Sequence, residues 1–189
     1  TTVRLPVRWE RLQPRVGQPL AAAEVDRLVA TLDAADASGL DVVVDLHNYG
    51  AYWAAAPWGD GYRKPLGGGW LTRAHFADLW TRIATRLAGH PALVGYGLMN
   101  EPVDLPGGAA TWEDASQAAV DAIRAVDMRT RVMVGGYFYS STWAFPVHHP
   151  DGPWIDDPAG RVLYEAHHYF DCDHSGTYRD DFSTAAGCR

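Results

Sequence analysis

Asparagine occurs only twice in the 189 residues, at Asn48 and Asn100, and glutamate only five times, at Glu10, Glu24, Glu101, Glu113 and Glu165. Residue types this scarce carry information through where they stand. Lysine is nearly missing: Lys64 is the only one, and the Arg bias, together with the Ala-rich helical stretches, reads as genome composition rather than function. Positive charge is in deficit, with 16 Lys+Arg against 23 Asp+Glu and a formal net charge of -7, which argues against a polyanion partner, since that partnership rests on basic side chains neutralising phosphates. No apolar run approaches the roughly 18 to 20 residues that a membrane span requires. The N-terminus shows neither a charged n-region nor an apolar h-region. A soluble chain with neither nucleic acid nor membrane as partner is therefore expected. The two cysteines, Cys172 and Cys188, stand 16 residues apart, and a disulfide between them is left open because spacing alone fixes no pairing.

The chain has ample material for one domain with a core, 47% of it being hydrophobic and 21% charged. Aromatics are in surplus, with 8 Trp and 9 Tyr, and Trp or Tyr beyond what a small core consumes tends to stack on something flat, such as a sugar ring. Trp53, Trp58, Trp70, Trp143 and Trp154 fall between the regular elements and are the candidates for such stacking.

Five β-branched or apolar runs read as strands: Val3 to Val7, Val42 to Leu46, Leu93 to Met99, Val132 to Gly135 and Val162 to Ala166. Helical period separates them, with Val25, Leu28, Val29 and Leu32 on one face, Phe76, Leu79, Trp80, Ile83 and Leu87 on a second, and Ala119, Val120, Ile123 and Val126 on a third. Thr72 and Ser38-Gly39 suit a helix start and stop. Strand alternating with helix means βαβ units and a parallel sheet, and the continuous run Val42-Val43-Val44 suits a strand covered on both faces, so the class is α/β. Tyr49 to Trp70, Pro102 to Thr111 and Phe138 to Pro158 read as loops, two of them long enough to be functional insertions.

In a β/α barrel the reactive groups project from the C-terminal ends of strands. His47-Asn48-Tyr49-Gly50 follows the second run, Asn100-Glu101-Pro102 the third and His167-His168-Tyr169 the fifth, so both asparagines fall at strand ends. A carboxyl at the rim of an apolar barrel has a raised pKa and can act as a general acid, and a neighbouring Asn can bond a sugar hydroxyl. Five of the eight histidines, at 148, 149, 167, 168 and 174, suggest a metal hydrolase, but adjacent His167 and His168 point to opposite faces of a strand and no His-Glu-x-x-His motif is present. No metal and no cofactor is expected.

Val3-Arg4-Leu5-Pro6-Val7 with Trp9, Asp45-Leu46-His47-Asn48-Tyr49, Gly97-Leu98-Met99-Asn100-Glu101-Pro102, and Tyr164-Glu165-Ala166-His167-His168-Tyr169 with Asp171, Asp173 and Ser175-Gly176-Thr177 together resemble glycoside hydrolase family 5, most closely its endo-β-1,4-glucanase branch. The resemblance runs through nearly the whole chain. It implies a retaining (β/α)8 TIM barrel in which Glu101 is the acid/base, Asn100 bonds the 2-hydroxyl of the sugar at subsite -1, His47 and His167 contact that sugar and the catalytic carboxylates, Arg4 lies beneath the nucleophile and Tyr169 bonds it; among the loop Trp residues, Trp143 is taken as a substrate-binding candidate for its stacking face rather than from the resemblance. The family's nucleophile, a Glu at the end of strand 7, has no counterpart, since no Glu follows Glu165. Glu165 itself matches a different position. Residues 1–189 are therefore expected to form a partial catalytic domain spanning strands 2 to 6, with strands 1, 7 and 8 absent and no activity of its own. The resemblance further implies a secreted, monomeric protein with a polysaccharide or oligosaccharide partner, cellulose-like glucan first, mannan or another β-glucan as alternatives. A carbohydrate-binding fragment without catalysis is the reading from a different class.

Overall fold

The computed structural model describes residues 1–56 and 59–179. In chain order the elements are β1 (Thr2–Val7), α1 (Trp9–Leu12), α2 (Ala22–Ala37), β2 (Asp41–Leu46), β3 (Ala51–Ala56), β4 (Gly59–Pro65), α3 (Arg73–Leu87), β5 (Leu93–Gly97), α4 (Gly108–Arg124), β6 (Arg131–Gly135), α5 (Phe145–His148) and β7 (Val162–Glu165). The five strands expected from the apolar runs form one sheet in the order β1-β2-β5-β6-β7, every neighbouring pair parallel. Sequential parallel order with helices in the crossovers is an open arc of a β/α barrel.

Alternation along each strand sorts the two faces of the arc. Val42, Val44, Leu46, Tyr96, Val132 and Val134 point outward and are buried in the core beneath the helices. Arg4, Val43, Met133, Leu163 and Glu165 line the opposite, concave face. The helices answer with apolar stripes: Val25, Leu28 and Leu32 on α2, Phe76, Leu79, Trp80, Ile83 and Leu87 on α3, and Trp112, Ala119, Val120 and Ile123 on α4 are all buried. Thr72 caps α3 through a capping box in which His75 supplies the return acceptor, its Nδ1 taking the Thr72 N–H at 3.3 Å. Ser38 closes α2, and Gly39 follows it with φ of 66°.

Val126 departs from its expected place on the apolar face of α4. It is 41% exposed, because the helix ends two residues earlier at Arg124. That guanidinium is buried and satisfied by the Asp157 carboxylate and by the carbonyls of Asp127 and Thr130, which turns the chain out of the helix. A second departure is the hairpin β3–β4 inside the segment expected to be a loop, paired antiparallel with Trp53 opposite Arg63. Its alternation is real but short: Tyr52 is buried and Trp53 is exposed.

Trp112 ties the outer core to the strand end. Its ring lies 6.0 Å from Phe76, and its Nε1–H donates to the Gly135 carbonyl at 2.7 Å. Truncating it leaves both a cavity and an unpaired carbonyl, so Trp112→Ala is expected to lower the unfolding free energy by about 3–5 kcal/mol. Urea denaturation of the two proteins checks this, and a loss under 1 kcal/mol would mean the site collapses around the gap.

Candidate active site

Arg4, on β1, reaches across the concave face, and its Nη2 lies 3.0 Å from Asp45 Oδ1 on β2, 2.9 Å from Asn100 Oδ1 after β5 and 3.0 Å from Glu165 Oε1 on β7. Four strands of the arc thus converge on one guanidinium. Asp45 is fully buried, and Gly97 makes this possible, because a Cβ there would stand 3.3 Å from the Asp45 Cα. Burial pushes the Asp45 carboxyl up, against the pull of the His47 and Arg4 donors. Since Arg4 only donates, it claims the oxygen of Asn100 and fixes how that amide is turned.

His47 sits two residues past Asp45, its Nδ1 2.7 Å from Asp45 Oδ2 and its Nε2 3.2 Å from the Tyr49 hydroxyl. The other asparagine, Asn48, is structural: it accepts from the Trp9 N–H and donates to Glu10 and to the Ala51 carbonyl, tying α1 to the end of β2.

Glu101 stands in a left-handed turn, φ 46°, and its Oε1 is 2.7 Å from His167 Nδ1. The other ring nitrogen of His167 lies 2.6 Å from Glu165 Oε1. Two carboxylates, both acceptors, hold one imidazole between them, and those two hydrogen bonds raise the His167 pKa to about 9. Burial works to raise Glu165, but the His167 hydrogen bond and the charges of Arg4, His167 and His47 carry its carboxyl below the usual range. Tyr169 is raised chiefly by the negative charge of Glu101 beside it.

Around Glu101 opens a cleft of about 450 Å³ whose walls include Phe138, Tyr139, Trp143, His167 and Tyr169. Phe138, Tyr139 and Ser140 form three successive left-handed residues. They are held there because Phe138 and Tyr139 donate backbone N–H groups to the Pro102 carbonyl while His167 N–H donates to the Ser140 carbonyl at 2.7 Å. The run therefore locks the Glu101 turn against the end of β7. Trp143, packed edge-on to Phe138 at 5.6 Å, is 52% exposed on the wall.

All seven residues singled out in the sequence lie on this rim or directly beneath it. Glu101, His167, Tyr169 and Trp143 face the cleft, while Arg4, His47 and Asn100 do not line it and are joined to it through the Arg4 contacts with Asn100, Asp45 and Glu165 and the Glu165–His167 hydrogen bond. The Trp candidates for stacking divide. Trp53 and Trp70 are exposed but belong to the β3–β4 side and do not line this cleft. Trp154 is an anchor, stacked on His149 at 4.0 Å with its Nε1–H given to Ser116. Trp58 and Cys188 lie outside the described residues. Asp45 and Glu165, to which the sequence assigns no site role, stand two residues before a rim histidine on the same strand face, which alternation makes readable, whereas Phe138 and Tyr139 carry no such signal. No group of three or more His, Cys, Asp or Glu side chains placed to hold a metal ion occurs among the described residues.

The sequence model of the family described as Cellulase (glycosyl hydrolase family 5) matches residues 1–187. Among curated proteins, the manganese dependent endoglucanase Eg5A of Phanerodontia chrysosporium is 34% identical over 185 residues, covering 94% of this chain and 45% of that protein. Endoglucanase 1 of Saitozyma flava is 32% identical, covering 94% and 51%. The crystal structure of Pseudomonas stutzeri endoglucanase Cel5A in complex with cellobiose superposes with a TM-score of 0.81 at 39% identity, over 94% of this chain and 50% of that one. The chain thus spans about half the length of the curated relatives it matches.

Proposed function

Because the chain belongs to the cellulase family, glycosyl hydrolase family 5, we propose that it supplies the acid/base half of a retaining endo-β-1,4-glucanase. The observation that carries this reading is Glu101, held at the edge of an aromatic-walled cleft beside an Asn whose amide is turned by Arg4. In this reading Glu101 protonates the leaving glycosidic oxygen. The Asn100 oxygen is taken by Arg4, so its NH2 is the end left for the sugar 2-hydroxyl. His47 and His167 bound the -1 sugar, Tyr169 reaches toward the nucleophile, and Trp143 offers a face for a neighbouring ring. Endoglucanase relatives favour cellulose-like glucan over mannan, and a polymer substrate argues for export. No helix among the described residues is long and apolar enough to cross a membrane.

Double displacement needs a second carboxylate, about 5 to 5.5 Å from the first, free to attack the anomeric carbon. Glu165 is a poor candidate, since it is bound to Arg4 and to the far nitrogen of His167, on the strand rather than beyond its end. We therefore propose that residues 1–189 correspond to strands 2 to 6 of the barrel and hold no nucleophile. The chain alone is expected to bind cello-oligosaccharides without cleaving them, whereas a full-length parent cleaves carboxymethyl cellulose with retention at the anomeric carbon. Reducing-end release and the anomeric configuration of fresh product check this. The assay requires monodisperse protein, because the arc exposes Val3 and Leu163 on its terminal strands. Steady turnover by the purified 189-residue chain would overturn the proposal.

A further inference from the structure

The concave face repeats one pattern twice. On β2, Asp45-Leu46-His47 places a carboxylate two residues before a rim histidine, and at the end of β7 Glu165-Ala166-His167 does the same. Residues two apart share a strand face, so each carboxylate lies below its histidine, on the interior side. We propose that Asp45 and Glu165 are a matched pair of positioning residues, each fixing the ring proton and tilt of the histidine above it, with Arg4 as their shared counter-charge.

This rests on the glucanase reading for its purpose and on geometry for its content. Asp45 Oδ2 accepts from His47 Nδ1 at 2.7 Å, which makes Nδ1 the protonated nitrogen and leaves Nε2 to accept from the Tyr49 hydroxyl at 3.2 Å. Glu165 Oε1 accepts from His167 Nε2 at 2.6 Å while Nδ1 donates to Glu101 at 2.7 Å, so His167 bonds both carboxylates only as a cation. In each case the chain of contacts runs from Arg4, through a carboxylate, through an imidazole, to a group at the rim. An ion pair that merely stiffened the barrel wall would end at Arg4 and need no histidine. The charges of both carboxylates are held by the same Nη2, which links the two relays.

The test reads nitrogen protonation directly, by long-range 1H–15N correlation on the isotopically labelled chain without glycan. The wild-type chain is expected to show His47 protonated at Nδ1 alone, and His167 protonated at both nitrogens at neutral pH and losing its charge near pH 9. In Asp45→Asn, Arg4 can only donate, so it takes the new amide's oxygen and turns the NH2 toward His47. The expected result is a switch of His47 to the Nε2–H form. In Glu165→Gln the oxygen stays but the charge goes, and the His167 titration should fall from about 9 toward the ordinary histidine range. The groups facing the two rings are Asp45, Tyr49 and Glu165 for His47, and Glu101 and Glu165 for His167, with Arg4 behind both strand carboxylates. Both replacements are near-isosteric. Should either variant fail to fold, the wild-type spectrum decides alone, because His47 protonated at Nε2 or a neutral His167 at pH 7 overturns the proposal. Unchanged His47 tautomer in folded Asp45→Asn, or unchanged His167 titration in folded Glu165→Gln, overturns it equally. Since no glycan is present, a failure here leaves the glucanase reading standing, and a failed cleavage assay leaves these protonation states untouched.

Discussion

Glu101→Gln in the full-length parent is expected to abolish hydrolysis of natural glucan while sparing the first step on cellobiosides with good leaving groups. Glu101 Oε1 is held by His167 Nδ1 at 2.7 Å, and a Gln oxygen can accept that hydrogen bond as well, so the local structure survives the change. What is lost is the proton that a sugar alkoxide needs when it departs. General acid catalysis contributes roughly 10²–10⁴ in rate, and an amide supplies none of it. A dinitrophenolate leaves without being protonated, so glycosyl-enzyme formation on such a substrate loses little. Turnover of the same substrate is expected to slow afterwards, because in the proposed mechanism Glu101 would also be the base that activates water in the second step. A burst of phenolate followed by a slow phase, together with a loss of about three orders of magnitude in kcat on glucan, is the expected pair of results. Full activity of this variant on natural glucan would show that Glu101 is not the acid.

The strand-end residues were legible because a parallel β/α arc concentrates its polar groups where the apolar runs stop. Asn100-Glu101-Pro102 after Leu93–Gly97 and His167 after Val162–Glu165 needed only that rule. Asp45 and Glu165 escaped it. They lie inside the strands, where attention to run ends passes over them, although the two-residue period placed each beneath a histidine. The hairpin Ala51–Pro65 escaped for another reason: glycines and prolines break its apolar pattern, and its register is set by pairing such as Trp53 with Arg63 rather than by local preference. Least legible of all is the left-handed run Phe138–Tyr139–Ser140. None of these types favours positive φ, and the conformation is imposed by bonds to Pro102 and His167, which lie far away in the chain.

Stability of the chain should peak between about pH 6 and 7, with the two limbs of the profile belonging to two different histidines. His167 has its folded pKa raised from 6.5 to about 9 by Glu101 and Glu165. Its contribution is complete below the unfolded value and drains away as pH climbs through the folded one, a loss on the alkaline side that solvent screening of this half-open site keeps below the roughly 3.4 kcal/mol of the full shift. His149 runs the other way. It is buried, it accepts the Tyr137 N–H at Nε2 and contacts Glu113 through Nδ1, and burial lowers its pKa in spite of that carboxylate. A group held neutral in the fold gives full stability above its unfolded pKa of about 6.5 and costs stability as the medium falls below it. Glu165, lowered in the fold, adds its own loss further down, as pH drops below 4.5. Urea unfolding of the 189-residue chain at half-unit steps from pH 4 to 10 separates these limbs. His167→Gln should flatten the alkaline limb and leave the acid limb sloping. His149→Gln should reduce the fall just below pH 6.5 and leave the alkaline limb intact. An alkaline limb unchanged in His167→Gln would mean that the imidazole between Glu101 and Glu165 carries no extra proton, and with it would go the ionic bridge that holds the candidate acid in place.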